Sequence, residues 1–217
     1  MNVIITGFMG TGKTTVGRLV ARQLGWFHLD TDEMVEFKVG KSIKSIFEQW
    51  GETYFRQFEK SVVKDICRNE RKAVISTGGK TLLDEENFAR FSETGLVFTL
   101  IDSPLNCWER VKKSFNRPLL KNLGRDGFLA LYGEREKLYQ SLPNKINIEG
   151  LSPEKVAEKI LGFLASKTNE FKISQGRQES VVTMERFIAF KARDIVEDKE
   201  AKIFIVYDKR VAGALEI

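Results

Sequence analysis

The segment that most constrains this chain is a glycine-rich loop close to its N-terminus. Residues 7–14 read Gly-Phe-Met-Gly-Thr-Gly-Lys-Thr and fit the pattern G-x-x-x-x-G-K-[ST]. The apolar run at residues 3–6 predicts a buried strand before the loop, and residues 14–24 predict a helix after it. Such a loop turns backbone N–H groups inward, and the helix N-terminus adds its positive end. The sequence therefore predicts a phosphate-binding loop in an α/β domain.

The end of this loop predicts binding of a nucleotide together with Mg²⁺. Lys13 is expected to reach the β- and γ-phosphates, and the Thr14 hydroxyl is expected to bind the metal ion. The residues expected to bind the nucleotide are Gly10, Thr11, Gly12, Lys13, Thr14 and Thr15. The loop alone does not distinguish a kinase from an ATPase or a GTPase. The guanine-binding signature of GTPases, N-K-x-D, is absent from the sequence, since Asn69 is followed by Glu-Arg-Lys.

Strand-like and helix-like segments alternate along the first part of the chain. Strands are predicted at residues 3–6, 26–29, 73–76, 96–101 and 145–148. Helices are predicted at residues 14–24, 42–49, 53–68, 128–139 and 153–164. Asp84 is predicted to cap a helix that runs through Phe91, and Pro104 is predicted to open another. This order predicts an α/β fold with a five-stranded parallel sheet covered on both faces. Residues 116–127, which contain a proline and two glycines, are predicted to form a polar, mobile loop.

The remainder of the chain has a different pattern. A polar linker is predicted at residues 166–178, with one short strand at 171–173. A helix around residues 180–196 and an apolar strand at 203–207 are predicted to follow. We therefore expect one domain at residues 1–165 and a C-terminal extension at 166–217. The extension is interpreted either as a fragment of a second domain or as a helical addition that packs on the first domain or mediates dimerisation.

Composition and charge narrow the classes of partner. Hydrophobic residues make up 42% of the 217 residues, which is enough for a core, and no apolar run is long enough to span a membrane. We expect a cytoplasmic protein without a membrane partner. The net charge of +5 comes from scattered basic residues, which favours small anions such as nucleotides and carboxylates over nucleic acid. The two cysteines, Cys67 and Cys107, are too few for a disulfide framework or a metal site, and we expect their side chains to be buried.

Several polar residues are predicted to lie near the phosphate-binding loop. Asp30 and Asp32 follow the second strand, where carboxylates could hold Mg²⁺ through water and orient an acceptor hydroxyl. The alternative is that they cap the next helix, and the two interpretations are compatible. Arg56 and Glu59 are three residues apart on one helix face, a spacing that is also typical of a solvated pair. Arg117, in the predicted loop, could neutralise phosphate charge as a lid residue.

The order of these motifs resembles the shikimate kinase family. Along residues 1–165 the chain presents, in order, G-F-M-G-T-G-K-T-T, L-D-T-D, S-I-x-x-I-F, G-E-x-Y-F-R-x-x-E, T-G-G, R-P-L-L and R-x-x-L-Y. The resemblance implies a fold like that of nucleoside monophosphate kinases, with a five-stranded parallel sheet. It also implies phosphorylation of the 3-hydroxyl of shikimate by ATP and Mg²⁺, on the route to aromatic amino acids. The expected partners are ATP and shikimate, and the expected state is a monomer or a weak oligomer.

The resemblance also implies roles for individual residues. Asp32 is expected to bind shikimate hydroxyls and act as base, and Asp30 to contact Mg²⁺ through water. Lys13 and Arg117 complete the implied catalytic set, and Arg110 is the implied arginine on the nucleotide side. The residues implied to bind the substrate are Asp32, Arg56, Gly78, Gly79 and Arg135, the two arginines binding its carboxylate. Glu59 is expected to hold Arg56 in place.

Two departures from the family pattern leave open questions. The family usually has a third glycine where this chain has Lys80, which could crowd the pocket, require an unfavourable φ, or add a charge near the carboxylate. Residues 149–153 lack the arginine that often stacks on adenine.

Other functions remain open from the sequence. The alternatives are a gluconate kinase-like or nucleotide kinase-like enzyme, and a nucleotide-binding relic without catalysis. The C-terminal extension weakly resembles the beginning of a dehydroquinate synthase, without a catalytic or metal-binding motif.

Overall fold

The computed structural model describes residues 1–112, 118–166, 169–175 and 178–184, with side chains at residues 1–112 and 124–166. The chain forms two compact units, Met1–Ile160 and Leu161–Ile217. In the described part of the chain, no helix is both long and apolar enough to cross a membrane.

The first unit is built on a parallel sheet with the strand order β2-β3-β1-β4-β5. Its strands are β1 (Asn2–Gly7), β2 (Phe27–Asp30), β3 (Ala73–Ser76), β4 (Gly95–Ile101) and β5 (Lys145–Asn147). All five were predicted from the sequence, with ends shifted by at most a residue or so. Every residue of the central strand β1 is buried, as expected for a parallel strand with helices on both faces.

Helices connect the strands in the alternating order that the sequence predicts. They are α1 (Lys13–Leu24), α2 (Thr31–Val39), α3 (Ile43–Asn69), α4 (Glu85–Thr94), α5 (Pro104–Val111), α6 (Pro118–Ser141) and α7 (Pro153–Ser166). The two helices predicted on either side of Gly51 form the single element α3, which is kinked there because Gly51 adopts φ 78° and ψ 177°. Asp84 caps α4 as predicted, accepting a hydrogen bond from the N–H of Asn87 at 3.2 Å.

The prediction of a polar loop at residues 116–127 was wrong for most of its length. Helix α6 already begins at Pro118, a residue type that suits the first turn of a helix. Gly124 nevertheless interrupts this helix, because its dihedral angles, φ 59° and ψ −170°, are not helical. Residues 113–117, which include the predicted lid residue Arg117, lie outside the described residues.

The described part of the C-terminal extension is an antiparallel pair of strands, β6 (Asn169–Gln175) and β7 (Gln178–Met184). The strand predicted at residues 171–173 lies within β6. The helix predicted from residue 180 was wrong at its start, because Val181, Val182 and Thr183 are β-branched residues that favour strands and pair with β6. Residues 185–217, including the strand predicted at 203–207, lie outside the described residues, and the domain boundary at residue 165 stays a prediction.

Candidate active site

Three segments with polar or glycine residues meet at one edge of the sheet. Strands β2, β3 and β1 are neighbours and parallel, so their carboxyl ends lie side by side. The glycine loop follows β1, the Asp30–Asp32 segment follows β2, and Gly78 and Gly79 follow β3. Ligands of open α/β sheets bind at this edge. The fold therefore brings together motifs that are far apart in the sequence.

The glycine loop requires glycine at several positions. Gly10 and Gly12 have φ values of 89° and 80°, which L side chains rarely adopt. A Cβ atom on Gly10 would also lie 2.5 Å from the carbonyl oxygen of Cys107. The ammonium group of Lys13 donates hydrogen bonds to the carbonyls of Gly7 (2.9 Å) and Phe8 (3.0 Å). Lys13 thus lies against the loop, where the motif predicts a phosphate-binding cation.

The threonines of the loop have different surroundings. The Thr11 hydroxyl is buried and donates to the carbonyl of Phe8 at 2.8 Å, so this side chain stabilises the loop itself. Thr15 is exposed at the first turn of α1. The Thr14 hydroxyl donates to Asp30 Oδ2 at 2.8 Å. The predicted contacts of Thr11 and Thr15 with nucleotide stay predictions.

Asp30 combines the two interpretations that the sequence left open. Its Oδ1 atom accepts the backbone N–H of Asp32 at 3.0 Å and caps α2, while its Oδ2 atom faces Thr14. A hydroxyl and a carboxylate are oxygen ligands of the kind that Mg²⁺ prefers, and nucleotide-bound Mg²⁺ needs only one or two such protein groups. The Thr14–Asp30 pair therefore fits the predicted metal site.

Asp32 lies directly against Gly78. A Cβ atom on Gly78 would lie 2.5 Å from Asp32 Oδ1, 2.9 Å from Thr81 Oγ1 and 3.2 Å from Glu59 Oε1. The backbone N–H of Gly78 donates to the Thr31 hydroxyl at 2.8 Å, which fixes this close approach. Position 78 requires glycine because a Cβ atom has no space there. The backbone conformation does not require it, since φ at Gly78 is not positive. The Gly78 N–H, predicted to bind substrate, is already bonded within the protein.

Arg56 is held by a buried carboxylate, as predicted. Its Nη1 atom donates to Glu59 Oε2 at 2.8 Å, and the Glu59 side chain is only 2% exposed. The other oxygen of Glu59 accepts from the Thr81 hydroxyl at 2.7 Å. The guanidinium carbon lies 4.9 Å from the centre of the Phe55 ring. Burial lowers the pKa of Arg56, but the carboxylates of Glu59 and Glu52 outweigh burial and raise it overall. Arg56 is thus a fixed cation.

A second carboxylate, Glu52, links Arg56 to Lys80. Glu52 Oε1 accepts from Arg56 Nη2 at 3.1 Å, from Arg56 Nε at 3.3 Å and from Lys80 Nζ at 3.0 Å. Lys80 has φ −111°, which answers one question raised by the sequence, because no unfavourable φ is required. Its ammonium joins the charge cluster around Arg56.

Arg135 approaches from helix α6. Its guanidinium carbon lies 6.0 Å from the centre of the Phe8 ring, beside the glycine loop. The Tyr139 hydroxyl, from the same helix, donates to the carbonyl of Gly79. Burial raises the pKa of Tyr139 above its ordinary value, so the hydroxyl is a donor at neutral pH. Tyr139 therefore joins the Gly79 turn to helix α6, which carries Arg135.

Arg110 supports the glycine loop from helix α5. Its Nη1 atom donates to the carbonyl of Gly10 at 3.0 Å and lies 2.6 Å from Asp102 Oδ2, a fully buried carboxylate. The Arg110 side chain is 43% exposed. This position is compatible with the predicted nucleotide contact, which stays a prediction.

Comparison with known proteins assigns the family. The family model described as Shikimate kinase matches residues 9–165. The chain belongs to the shikimate kinase family. The shikimate kinase of Thermodesulfovibrio yellowstonii is 42% identical over 161 residues, covering 74% of this chain and 92% of that protein. The structure of the Acinetobacter baumannii shikimate kinase in complex with shikimate superposes with a TM-score of 0.70 at 33% identity, covering 76% of this chain and 93% of that one.

The gluconate kinase alternative is less well supported. The gluconokinase of Sinorhizobium meliloti has a TM-score of 0.51 and 12% identity, with 76% of this chain and 91% of that chain covered. At this identity the likeness shows the fold alone. The shikimate kinase family also accounts for the fold predicted from the sequence, a parallel sheet of five strands flanked by helices.

Four polar residues that shape this site were given no role from the sequence, although three of them stand in the quoted motifs. Thr31, Thr81 and Tyr139 make hydrogen bonds between segments, and Glu52 bridges two cations. One signal was available for Glu52, which lies four residues before Arg56 on the same helix face. The bond from Thr81 to Glu59 joins residues 22 apart in the sequence, and no spacing rule predicts it.

Proposed function

We propose that this chain transfers the γ-phosphoryl group of ATP to the 3-hydroxyl of shikimate through the residues described above. The observation that carries the proposal is the convergence of Asp32 and the Glu59–Arg56 pair on Gly78. A carboxylate suited to a hydroxyl and a guanidinium suited to a carboxylate thus lie beside one phosphate-binding loop. Shikimate carries both groups.

On the nucleotide side, Lys13 and the backbone N–H groups of the loop bind the phosphates and stabilise charge that develops on them. Mg²⁺ would be held by Thr14 and, through water, by Asp30, and would neutralise the β- and γ-phosphate oxygens. Arg110 holds the Gly10 carbonyl and offers its exposed edge to the nucleotide. Arg117 is proposed as the lid arginine, and its position lies outside the described residues.

On the acceptor side, Arg56 and Arg135 bind the substrate carboxylate, and the Gly79 turn offers a backbone N–H. Asp32 orients the 3-hydroxyl and accepts its proton as the new O–P bond forms. The bond between the γ-phosphorus and the β–γ bridging oxygen breaks, and ADP leaves. Glu59 and Thr81 keep Arg56 in place by bonds that do not involve the substrate.

An assay that couples ADP release to a spectroscopic signal tests the proposal. Shikimate with Mg-ATP should give ADP and a phosphorylated product of matching mass, whereas gluconate and nucleoside monophosphates should give only the background rate. Preferred turnover of gluconate or a nucleotide would favour another small-molecule kinase. ATP binding without turnover of any acceptor would favour a relic. A cytoplasmic location and a monomeric or weakly oligomeric state are also proposed, and sedimentation of the full chain tests the latter.

A further inference from the structure

One oxygen atom of Glu52 is shared by two cations. Glu52 Oε1 accepts from Nε and Nη2 of Arg56, at 3.3 and 3.1 Å, and from Lys80 Nζ at 3.0 Å. Nε and Nη2 form the planar fork with which arginine binds a carboxylate bidentately. Glu52 therefore contacts the edge of Arg56 that is best shaped for a substrate carboxylate.

The two carboxylates on Arg56 differ in how firmly they are held. Glu59 is 2% exposed and also bonds Thr81, so it is a fixed part of the structure. The Glu52 side chain is 50% exposed, and its described bonds all run to Arg56 and Lys80. Of the two, Glu52 is the carboxylate that an incoming anion can displace from Arg56.

Lys80 balances the charge of this cluster. Arg56 and Lys80 contribute two positive charges, and Glu52 and Glu59 contribute two negative charges, so the cluster is neutral. With glycine in place of Lys80, the three remaining side chains would carry one negative charge, which would weaken the attraction of Arg56 for a substrate carboxylate. The hydrogen bond from Lys80 is the largest influence that lowers the pKa of Glu52.

We propose that Lys80 is a positioning residue for substrate binding that acts through Glu52. When the substrate carboxylate binds Nε and Nη2 of Arg56, Glu52 loses its bonds to Arg56 and keeps its bond to Lys80. Glu52 then does not compete with the substrate for Arg56. The inference rests on the proposed function, because it takes the incoming anion to be the shikimate carboxylate. It also gives a role to the one position where this chain replaces the third glycine of the family pattern.

Steady-state kinetics with shikimate at saturating Mg-ATP test this role. Lys80→Ala should raise the shikimate KM about fivefold, because both partners are partly exposed and screened by water. Its kcat and its KM for ATP should stay within about twofold of the wild type. The conservative variant Lys80→Arg, which keeps the charge, should restore the wild-type KM. Added salt should reduce the difference between Lys80→Ala and the wild type.

A double-mutant cycle tests the route through Glu52. If Lys80 acts by retaining Glu52, Lys80→Ala should change the KM less than about twofold in a Glu52→Gln background. Lys38→Ala is the matched control. Lys38 is 38% exposed and pairs with a 49% exposed Asp65 on α3, while Lys80 is 38% exposed and pairs with a 50% exposed Glu52. This control should leave the shikimate KM unchanged.

The possible failures are distinguishable. If the wild type does not phosphorylate shikimate, the proposed function fails. If the wild type is active and Lys80→Ala has the wild-type KM, only the role of Lys80 fails. If Lys80→Ala raises the shikimate KM equally in the wild-type and the Glu52→Gln backgrounds, Lys80 contacts the substrate directly. That result would overturn the route through Glu52.

Discussion

A Cβ atom at Gly78 would lie 2.5 Å from Oδ1 of Asp32, closer than real Cβ contacts allow. The glycine after β3 thus sets the position of a carboxylate that follows β2, some 46 residues earlier in the sequence (78 − 32). The next nearest atoms, of Thr81 and Glu59, lie at 2.9 and 3.2 Å, so a methyl group at position 78 would have to displace side-chain oxygens, Asp32 Oδ1 first. Because Gly78 has no Cβ atom, the carboxylate of Asp32, the proposed base, has room to lie in this position.

Gly78→Ala should therefore lower kcat/KM by about 10²-fold, since a displacement of about 1 Å at a reacting group is enough for such a loss. ATP affinity should change little, because the phosphate-binding loop is not touched. Gly133→Ala is the control: no atom lies within 4 Å of its added Cβ, and alanine suits a helix. Nearly wild-type turnover in Gly78→Ala would show that Asp32 is free to shift without loss.

Asp32→Asn should lower kcat by about 10²–10⁴-fold, the usual contribution of a general base. Asparagine keeps the size of the side chain and removes the proton acceptor. ATP affinity should stay nearly intact, because the phosphate-binding loop is unchanged. Single-turnover phosphorylation of shikimate checks the first part of this prediction, and calorimetric titration of ATP checks the second. A kcat close to that of the wild type would exclude Asp32 as the base.

Much of the fold was predictable because short-range patterns determine it. The glycine loop, the five strands and the cap at Asp84 each follow from a few adjacent residues. Where local signals conflicted, prediction failed. The glycines and proline after residue 116 indicated a loop, yet α6 begins at Pro118 and tolerates an interruption at Gly124. In the extension, the β-branched run at residues 181–183 outweighed the helical pattern expected there.

The site was predictable in its motifs and not in its connections. The resemblance pointed to Arg56 and Glu59, and the structure joins them at 2.8 Å. The contacts of Lys80 and Thr81 depend on where the turn after β3 meets α3, which is a matter of tertiary packing. Side-chain contacts of this kind have no sequence period, so the sequence alone left the consequence of Lys80 open.

Arg56→Ala and Arg135→Ala should both raise the shikimate KM strongly and the ATP KM little. Removing a cation leaves the substrate carboxylate partly unpaired, at a cost of about 2–5 kcal/mol where water is excluded. Only Arg56→Ala should also lower the unfolding temperature clearly, because it leaves the buried carboxylate of Glu59 without its cation. Kinetics and thermal unfolding of both variants check this difference.

Arg90→Ala is the control for this pair of variants. Arg90 bonds Glu86 on the exposed face of α4, where an ion pair contributes little to stability. An Arg56→Ala variant as stable as this control would mean that Glu59 does not depend on Arg56. A change confined to ATP affinity in both variants would mean that the two substrate sites have been assigned the wrong way round.

Asp30→Asn should raise the Mg²⁺ concentration needed for half-maximal activity. Asparagine caps helices as well as aspartate does, so the cap on α2 is retained while the negative charge facing Thr14 is lost. Activity measured against Mg²⁺ at fixed ATP tests this, and the unfolding temperature should stay unchanged. An unaltered Mg²⁺ dependence would confine Asp30 to its capping role.

The last prediction concerns the C-terminal extension, which should be dispensable for phosphoryl transfer. The family match ends at residue 165, and helix α7 is complete at Ser166. A chain ending at Lys167 should therefore keep the kcat and both KM values of the full chain. A chain ending at Ile160, where the first compact unit ends, decides between the two boundaries. It lacks the buried side chain of Leu164, whose burial contributes about 1.5–3 kcal/mol to stability. If the kinase domain extends to residue 165, the shorter chain should unfold at a clearly lower temperature than the longer one. Equal stability would place the boundary at Ile160. Loss of activity in the chain ending at Lys167 would make the extension part of the kinase and overturn the proposed division.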